Sequence, residues 1–370
     1  MLDEAVYLSL KTGDSSGCIL GLELSTLKPF ITYRDCPTTG VFCLDNPLIP
    51  RSLLAHNPTE HAFFHFSLGK EKALQRFFGH SDITALSFGE RWIVAGLGDG
   101  SLRIWDRGSG GLRVRVGAVH AGAVKHVCLS ADQECIVTAS REVILVHRFD
   151  DLLQGDNQHP LHRLDKHRRP ITSLHLTLTQ NLRARLWSAC QDGELLVWDL
   201  VDGAILARFK FPGPITSLAV SLTETKAFAA TPQGICIVDL SGEVDSSPAL
   251  INLCNVERIA LSMDETSLFA LTTQLSIIDL NTLQVTKSIT LQSLAQSFKE
   301  VTGILVGPKV TKPEAKEMPV LSRTIQENKS TKFKKKVELR KEEEEKVDWK
   351  VKCLELESLN KQLCDLIEGK

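Results

Sequence analysis

The sequence predicts an all-β protein, a propeller of seven four-stranded blades, followed by a linker and an α-helical coiled-coil tail. Three observations indicate this architecture. A short strand pattern recurs at a nearly constant spacing, the first 306 residues contain no stretch with helical periodicity, and the composition changes at Gly307. The predicted boundaries are residues 1–306 for the propeller, 307–345 for the linker and 346–370 for the helix.

The repeat is clearest in two segments, residues 99–106 and 192–199, which begin with Asp-Gly and end with Trp-Asp. Weaker copies bring the total to seven. With the tryptophan position as the anchor, the spacings are 44, 39, 42, 51, 40 and 40 residues. WD repeats have about 40 to 45 residues per blade, so the seven anchors indicate seven blades. The anchors are Leu22, Phe66, Trp105, His147, Trp198, Val238 and Ile278.

The two ends of the repeat region predict how the ring closes. Residues 5–10 form a strand with no inner strand before it, whereas residues 300–306 resemble an inner strand that follows the last blade. We therefore expect the C-terminal strand to complete the first blade. Closure of this kind removes two free strand edges, which would otherwise promote aggregation.

The 51-residue spacing contains extra chain after the fourth anchor. Additional loop length on a propeller is more often a contact surface than a structural need. We predict a partner loop over residues 151–160, and a second insertion around residues 179–183. The candidate contact residues of the partner loop are Asp151, Leu152, Leu153, Gln154 and Asp156.

Four residues of the fifth blade have the composition of a hydrolase triad beside an aromatic: His167, Ser188, Asp192 and Trp198. In WD repeats these positions form a hydrogen-bonded relay within one blade, because buried polar groups need partners. The third blade keeps His80, Asp99 and Trp105 but has Ala95 in place of the hydroxyl, and the fourth keeps His120. We therefore predict a structural relay and no catalytic residues.

No cofactor or metal ion is predicted. Residues 96–100 are rich in glycine, but they precede a strand, whereas a phosphate-binding loop opens a helix. Two histidine groups lack cysteine or carboxylate partners at ligand spacing. They are His159, His162 and His167, and His56, His61 and His65. The ten cysteines include no C-x-x-C pair, which indicates reduced, buried thiols.

The charge balance is nearly neutral, with 43 Lys and Arg against 45 Asp and Glu. This excludes a surface built throughout to coat nucleic acid or anionic lipid, so any such contact must be local. The propeller has 27 basic against 32 acidic residues and the remainder has 16 against 13. A stretch of 18 apolar residues is absent, and the N-terminus lacks the pattern of a secretion signal, so no membrane partner is predicted.

The linker contains Pro308, Pro313 and Pro319, and it ends with a basic run and four glutamates. Three interpretations of the basic run remain open: a nuclear import signal, a weak contact with RNA phosphates, or a solvated spacer. Import is slightly favoured over direct RNA binding, because a linker lies on one side of the run. The basic residues are Lys329, Lys332, Lys334, Lys335, Lys336, Arg340 and Lys341.

The final segment has a heptad seam with steps of four and three residues. An isolated helix of roughly 20 residues is marginal in water, so the seam needs a partner. Self-association or docking on another protein is favoured over packing on the propeller, because a buried Asn commonly sets register and partner number. The seam residues are Trp349, Cys353, Leu356, Asn360, Leu363 and Ile367.

With the repeats placed, residues 145–201 resemble the WD-repeat subunit of the rixosome, the nuclear complex that acts on precursors of the large ribosomal subunit. The resemblance rests on the segment 149–156, with its Leu-Gln-x-Asp pattern, and on segments 170–175, 184–192 and 197–200. Segments 18–24 and 27–34 and the leucine-rich C-terminal helix also fit.

This resemblance implies a non-catalytic scaffold in the nucleoplasm and nucleolus that dimerises through its C-terminal helix. The implied partners are a helical-repeat scaffold subunit, the AAA ATPase midasin, and the pre-ribosomal large subunit, whose second internal transcribed spacer is processed by the same assembly. Two other hypotheses remain. One is an adaptor propeller of a ubiquitin ligase or a trafficking complex, and the other is an enzyme with its site in the fifth blade.

Overall fold

Strands make up most of the chain that the computed structural model describes. The predicted linker from residue 310 onward and the predicted helix lie outside the described residues, as do His80, Asp156 and the second insertion. The described residues are 4–11, 17–34, 42–44, 52–57, 60–78, 83–130, 132–155, 159–177, 184–239, 249–290 and 300–309.

Within these residues, the strands form seven antiparallel sheets of four, which confirms the predicted seven-bladed propeller. One short helix, α1 (Phe149–Leu153), interrupts the all-β pattern. The strands are β1 (Glu4–Lys11), β2 (Gly17–Glu23), β3 (Pro29–Tyr33), β4 (Phe42–Leu44), β5 (Ser52–Asn57), β6 (Ala62–Ser67), β7 (Gln75–Phe78), β8 (Ile83–Phe88), β9 (Trp92–Leu97), β10 (Leu102–Asp106), β11 (Leu112–Val116), β12 (His126–Leu129), β13 (Cys135–Ser140), β14 (Val143–Arg148), β15 (His162–Leu164), β16 (Ile171–Leu176), β17 (Arg185–Cys190), β18 (Glu194–Asp199), β19 (Ile205–Lys210), β20 (Ser217–Val220), β21 (Lys226–Thr231), β22 (Gly234–Asp239), β23 (Ala249–Ile251), β24 (Arg258–Leu261), β25 (Ser267–Leu271), β26 (Gln274–Asp279), β27 (Gln284–Thr290) and β28 (Glu300–Pro308).

All seven anchors lie on the third strand of their blade and are buried. An apolar side chain at this position packs between neighbouring blades. Each described core cluster accordingly combines residues of two adjacent blades, and the clusters follow one another around the ring. The recurring spacing in the sequence is therefore the spacing of these inter-blade contacts, which is why the weak copies could be placed without a tryptophan.

The ring closes as predicted. Strand β28 pairs antiparallel with β1, with Val6 opposite Val306, and the first sheet has the order β28-β1-β2-β3. The Tyr7 hydroxyl donates to the carbonyl of Pro308 over 2.9 Å, and the hydroxyls of Ser9 and Thr302 lie 2.7 Å apart. The closing strand continues two residues beyond the predicted end at residue 306.

The innermost strands surround a central channel. They follow one another in the order β28, β4, β8, β12, β16, β20 and β24, and β24 contacts β28 again. Two threonines near the start of inner strands connect neighbouring blades through backbone carbonyls. Thr84 donates to the carbonyl of Val124 over 2.6 Å, and Thr216 donates to that of Val256 over 2.7 Å. These two bonds join the third blade to the fourth and the sixth blade to the seventh, at the end of the propeller where the inner strands begin.

The Asp-Gly pairs form tight turns between the second and third strands. Gly193 has φ 81°, and a Cβ there would lie 2.4 Å from the carbonyl oxygen of Gly213. Gly100 has φ 85°, and its Cβ would meet the carbonyl of His120 at 2.0 Å. Only glycine fits such positions. The glycine-rich residues 96–100 are thus the end of β9 and the turn that leads to β10.

Candidate functional site

Three of the four predicted relay residues of the fifth blade are joined by hydrogen bonds. The Ser188 Oγ lies 2.6 Å from His167 Nε2 and accepts from the indole Nε1 of Trp198 over 2.7 Å. All three side chains are buried, and Ser188 and Trp198 occupy adjacent strands β17 and β18. The serine thus satisfies a ring nitrogen and an indole nitrogen that would otherwise be buried without partners.

Asp192 makes no hydrogen bond to His167 in the described structure. Its Oδ1 instead accepts from the Cys190 thiol over 2.6 Å and from the Glu194 backbone N–H over 3.0 Å. Burial would raise the pKa of Asp192, but these donors, together with nearby Lys210 and His167, lower it. The aspartate therefore stabilises the turn that begins β18, a role that its position between Cys190 and Glu194 explains.

The His167 imidazole is kept neutral by its surroundings. Burial lowers the pKa of His167 to about 4, although Asp192 acts in the opposite direction. Its Nδ1 has no hydrogen-bond partner and lies 3.8 Å from Glu194 Oε2. A neutral histidine beside a serine hydroxyl could act as a general base. Both His167 and Ser188 are, however, buried, and neither lines any of the described pockets.

The ligand atoms of His167, Cys190 and Glu194 lie within 4.8 Å of one another, a group that the sequence analysis did not identify. Nitrogen, sulfur and carboxylate oxygen are zinc ligands. The thiol and the carboxylate are, however, already engaged, since Cys190 donates to Asp192 and Glu194 Oε1 lies 3.2 Å from Arg208 Nη1. Burial and the Asp192 contact raise the pKa of Cys190 to about 12, so the thiol is protonated.

The third and fourth blades contain parts of the same network. In the fourth, His120 Nε2 lies 2.9 Å from the Thr138 Oγ1, and both side chains are buried. Thr138 was not predicted from the sequence. It occupies the place of Ser188, but the turn before the third strand of its blade is one residue shorter. In the third, Asp99 accepts from the backbone and hydroxyl of Ser101, and Trp105 packs edge-to-face on Phe63 of the second blade.

The predicted partner loop begins as a helix rather than as an exposed loop. Leu152 of α1 is fully buried, and Phe149 packs 5.3 Å from the ring of Trp92, both in the core shared by the third and fourth blades. Asp151 and Leu153 are partly buried, whereas Gln154 is exposed. The first half of the insertion therefore fills a gap between blades, and Leu152 is buried there instead of being exposed as a partner contact would be.

The two candidate histidine groups do not converge. His56 and His65 are buried on neighbouring strands β5 and β6, and His61 lies in the turn between these strands. His162 lies 3.0 Å from the carbonyl of Val201, and His159 is exposed.

Comparison with known proteins supports the same architecture. A family model described as WD domain, G-beta repeat matches residues 71–106, from just before β7 to the end of β10. The pre-rRNA-processing protein IPI3 of Eremothecium gossypii is 26% identical over 163 residues, which are 42% of this chain and 32% of the relative. Crb3/ipi3 of Schizosaccharomyces pombe is 22% identical over 186 residues, 48% of this chain and 41% of the relative. WD repeat-containing protein 18 of Rattus norvegicus is 26% identical over 178 residues, which are 46% of this chain and 41% of the relative.

The resemblance stated from the sequence is thereby confirmed as a similarity to WD-repeat proteins named for pre-rRNA processing. The matched segments span between about a third and two fifths of these relatives' lengths. A WD-repeat propeller is typical of non-enzymatic scaffolds. No helix in the described part of the chain is long and apolar enough to cross a bilayer.

Proposed function

We propose that this chain is a non-catalytic scaffold subunit of a nuclear complex that matures the large ribosomal subunit. The observation that carries the proposal is the similarity to two fungal proteins named for pre-rRNA processing, each matching more than two fifths of the chain. The fifth-blade residues that could have formed a hydrolytic site support it, because Ser188 and His167 are buried and Asp192 bonds elsewhere.

The proposed partners follow from the resemblance and not from a described contact. They are a helical-repeat scaffold subunit, midasin and the pre-ribosomal large subunit, together with a second copy of this chain through the seam residues. In this proposal the propeller supplies a rigid, closed body with exposed faces, and the tail supplies the connection to other chains. Rigidity is the property of the propeller that suits a scaffold, since seven shared cores resist deformation.

Affinity purification of the tagged full-length chain, with mass spectrometry of the eluate and blotting for spacer-containing pre-rRNA, tests the proposal. We expect the helical-repeat scaffold subunit and midasin in the eluate, and accumulation of unprocessed second spacer after depletion of the chain. An eluate that instead contains ubiquitin ligase subunits or vesicle coat proteins, with unchanged pre-rRNA, would contradict it.

A further inference from the structure

One sector of a propeller face, formed by the fourth, fifth and seventh blades, carries six exposed cations, although the propeller as a whole is acidic, with 27 basic against 32 acidic residues. We call it the basic face. All six side chains are exposed, and none has an ion pair in the described part of the chain. The basic face consists of Lys125, Arg141, Lys166, Arg168, Arg169 and Arg258.

The strand topology places these cations together. In each blade, the turn between the second and third strands and the loop leading to the next inner strand emerge on the same side. Arg141 lies in the β13–β14 turn, and Arg168 belongs to the loop from β15 to β16 with its neighbours Lys166 and Arg169. Lys125 immediately precedes inner strand β12, and Arg258 begins inner strand β24.

Backbone hydrogen bonds hold the segments of the basic face against one another. The Ile171 N–H donates to the carbonyl of Arg141 over 2.7 Å, and the Gln191 N–H donates to that of Pro170 over 3.0 Å. The Lys125 N–H donates to the carbonyl of Ala139 over 2.9 Å. The loop of residues 165–170 is therefore fixed at its end to the turns of two blades, and its cations are presented from a rigid backbone.

The basic face continues into the mouth of the central channel. Lys125 and Arg258 line a cavity of about 620 Å³ there, together with His126 and polar side chains of other inner strands. Burial, with smaller contributions from Arg258 and Lys125, lowers the pKa of His126 to about 4, so the imidazole adds no charge at pH 7. The opposite part of the channel is lined by apolar side chains such as Leu176, Val220 and Leu261.

Nearby carboxylates leave most of this positive charge uncompensated. Asp165 lies 3.7 Å from Arg163, and Asp192 lies 3.7 Å from Lys210, so both already have a cation as neighbour. Glu142 and Glu257 are the remaining carboxylates in the described turns and loops that carry the six cations. Six cations against two carboxylates leave a local excess of four positive charges.

We propose that the basic face binds the phosphodiester backbone of RNA. This inference rests on the proposed function, which brings the chain to pre-rRNA. Arginine's planar fork suits phosphate, and the spread of the cations over several blades matches a repeating anion better than a single small one. The described segments of the basic face contain no Phe, Tyr or Trp on which bases could stack, so binding depends on charge and not on base sequence.

The experiment measures binding of the purified full-length chain to a fluorescein-labelled, single-stranded RNA of 24 nucleotides, by anisotropy across a series of KCl concentrations. The test variant carries Lys166→Gln, Arg168→Gln and Arg169→Gln. The matched control carries Arg113→Gln, Arg115→Gln and Lys226→Gln, three exposed cations that lie on strands β11 and β21 outside the basic face. Both are also made with the seven residues of the linker's basic run changed to Gln, which separates the propeller from the tail.

We expect the test variant to bind RNA about tenfold more weakly than the native chain. The magnitude of its slope of log affinity against log salt should fall by about 2, because each phosphate contact to a single strand contributes about 0.7 to that slope. The control should keep the wild-type slope, and a second RNA sequence should bind within about twofold of the first. Melting temperatures of all variants check folding.

Equal affinity and slope for the test and control variants, in both linker backgrounds, would overturn the proposal. So would a test variant that keeps RNA binding but loses a protein from the affinity eluate, since the face would then dock an acidic protein. Loss of RNA binding with an unchanged eluate supports the proposal. Because the eluate is measured separately, a failure of RNA binding is distinguishable from a failure of the proposed ribosomal function.

Discussion

Ser188 is the residue on which the fifth-blade relay depends, because it is the common partner of His167 and Trp198. Replacing it with Ala leaves two buried nitrogens without that partner. We expect Ser188→Ala to lower the free energy of unfolding by about 1–3 kcal/mol. Urea denaturation at pH 7 measures the change. The control is Ser288→Ala on exposed strand β27, which should change stability by less than about 0.5 kcal/mol; equal effects of the two substitutions would contradict the relay.

Four fully or partly buried histidines make stability depend on pH in a defined window. Burial lowers the pKa of these four, His120, His126, His167 and His175, to about 4, below the ordinary value of 6.5. Between about pH 4 and pH 6.5, the unfolded chain therefore binds more protons than the folded chain. Stability that is present above about pH 6.5 is lost as the pH falls toward 4. Each of these histidines should lower the free energy of unfolding by roughly 2 kcal/mol when the pH falls from 7 to 5.

Urea midpoints at pH 7, 6 and 5 test this pH dependence. His167→Gln should be less stable than the native chain at pH 7 but should lose less stability on acidification, because the unfolded variant takes up one proton fewer. The carboxylates with lowered pKa values, such as Asp192 and Asp264, contribute mainly below this window. An equal pH slope in the variant and the native chain would show that His167 is not a source of the dependence.

The residue types of the relay could be predicted from sequence, but its bonds could not. The spacing of His167, Ser188 and Trp198 placed them on adjacent strands, where their bonding follows from burial. Asp192 differed because it has two donors within two residues along the chain, the Cys190 thiol and the Glu194 backbone N–H. Thr138 was missed because a turn shorter by one residue shifts the count from the anchor, although the pairing of the strands is the same.

At the level of elements, helix α1 shows why extra chain does not by itself mark a surface. The insertion after the fourth anchor was predicted as a partner loop, yet Phe149 and Leu152 follow each other at helical spacing and are buried in the same core as Trp92. Two apolar residues three positions apart are too short a pattern to distinguish one turn of helix from a loop in the sequence. The seven anchors, by contrast, were all placed on the third strand of their blade, since each had six sister copies for comparison.

We expect Leu152→Ala to lower the free energy of unfolding by about 2–5 kcal/mol, because it leaves a cavity between the third and fourth blades. Gln154→Ala, two residues later on an exposed side chain, is the control and should be nearly neutral. Thermal or urea unfolding of the purified variants measures both. If Leu152→Ala unfolds at the native midpoint but loses a protein from the affinity eluate, the segment is a contact surface after all.

The heptad seam of the tail carries a separate prediction from sequence. Replacing Leu356 and Leu363 with Ala should abolish self-association, because both occupy the apolar seam around Asn360. Leu354→Ala with Leu359→Ala is the matched control, since these leucines lie off the seam and the change in composition is the same. Light scattering gives the mass of each variant. A dimeric mass for the seam variant would show that self-association uses another contact.

For the whole molecule, closure of the ring determines whether the blades act as one body. Each core is shared between neighbours, so a propeller without its closing strand would expose the β1 edge and uncover the core around Val301 and Ile304. The sequence predicted this closure because a strand without a partner stood at each end of the repeat region. It could not predict the polar links between Tyr7 and Pro308 or between Ser9 and Thr302, which depend on the register of pairing.

A pair of truncations tests this dependence on the last strand. A chain that stops after residue 311 keeps β28 and should unfold in one cooperative transition close to that of the full chain. A chain that stops after residue 299 lacks β28, and we expect it to lose the cooperative transition and to aggregate through the exposed edge of β1. Circular dichroism melting and light scattering measure the two effects. Because both chains lack the same charged tail, a difference between them reports on the closing strand, and identical melting of both would mean that the other six blades hold the ring without it.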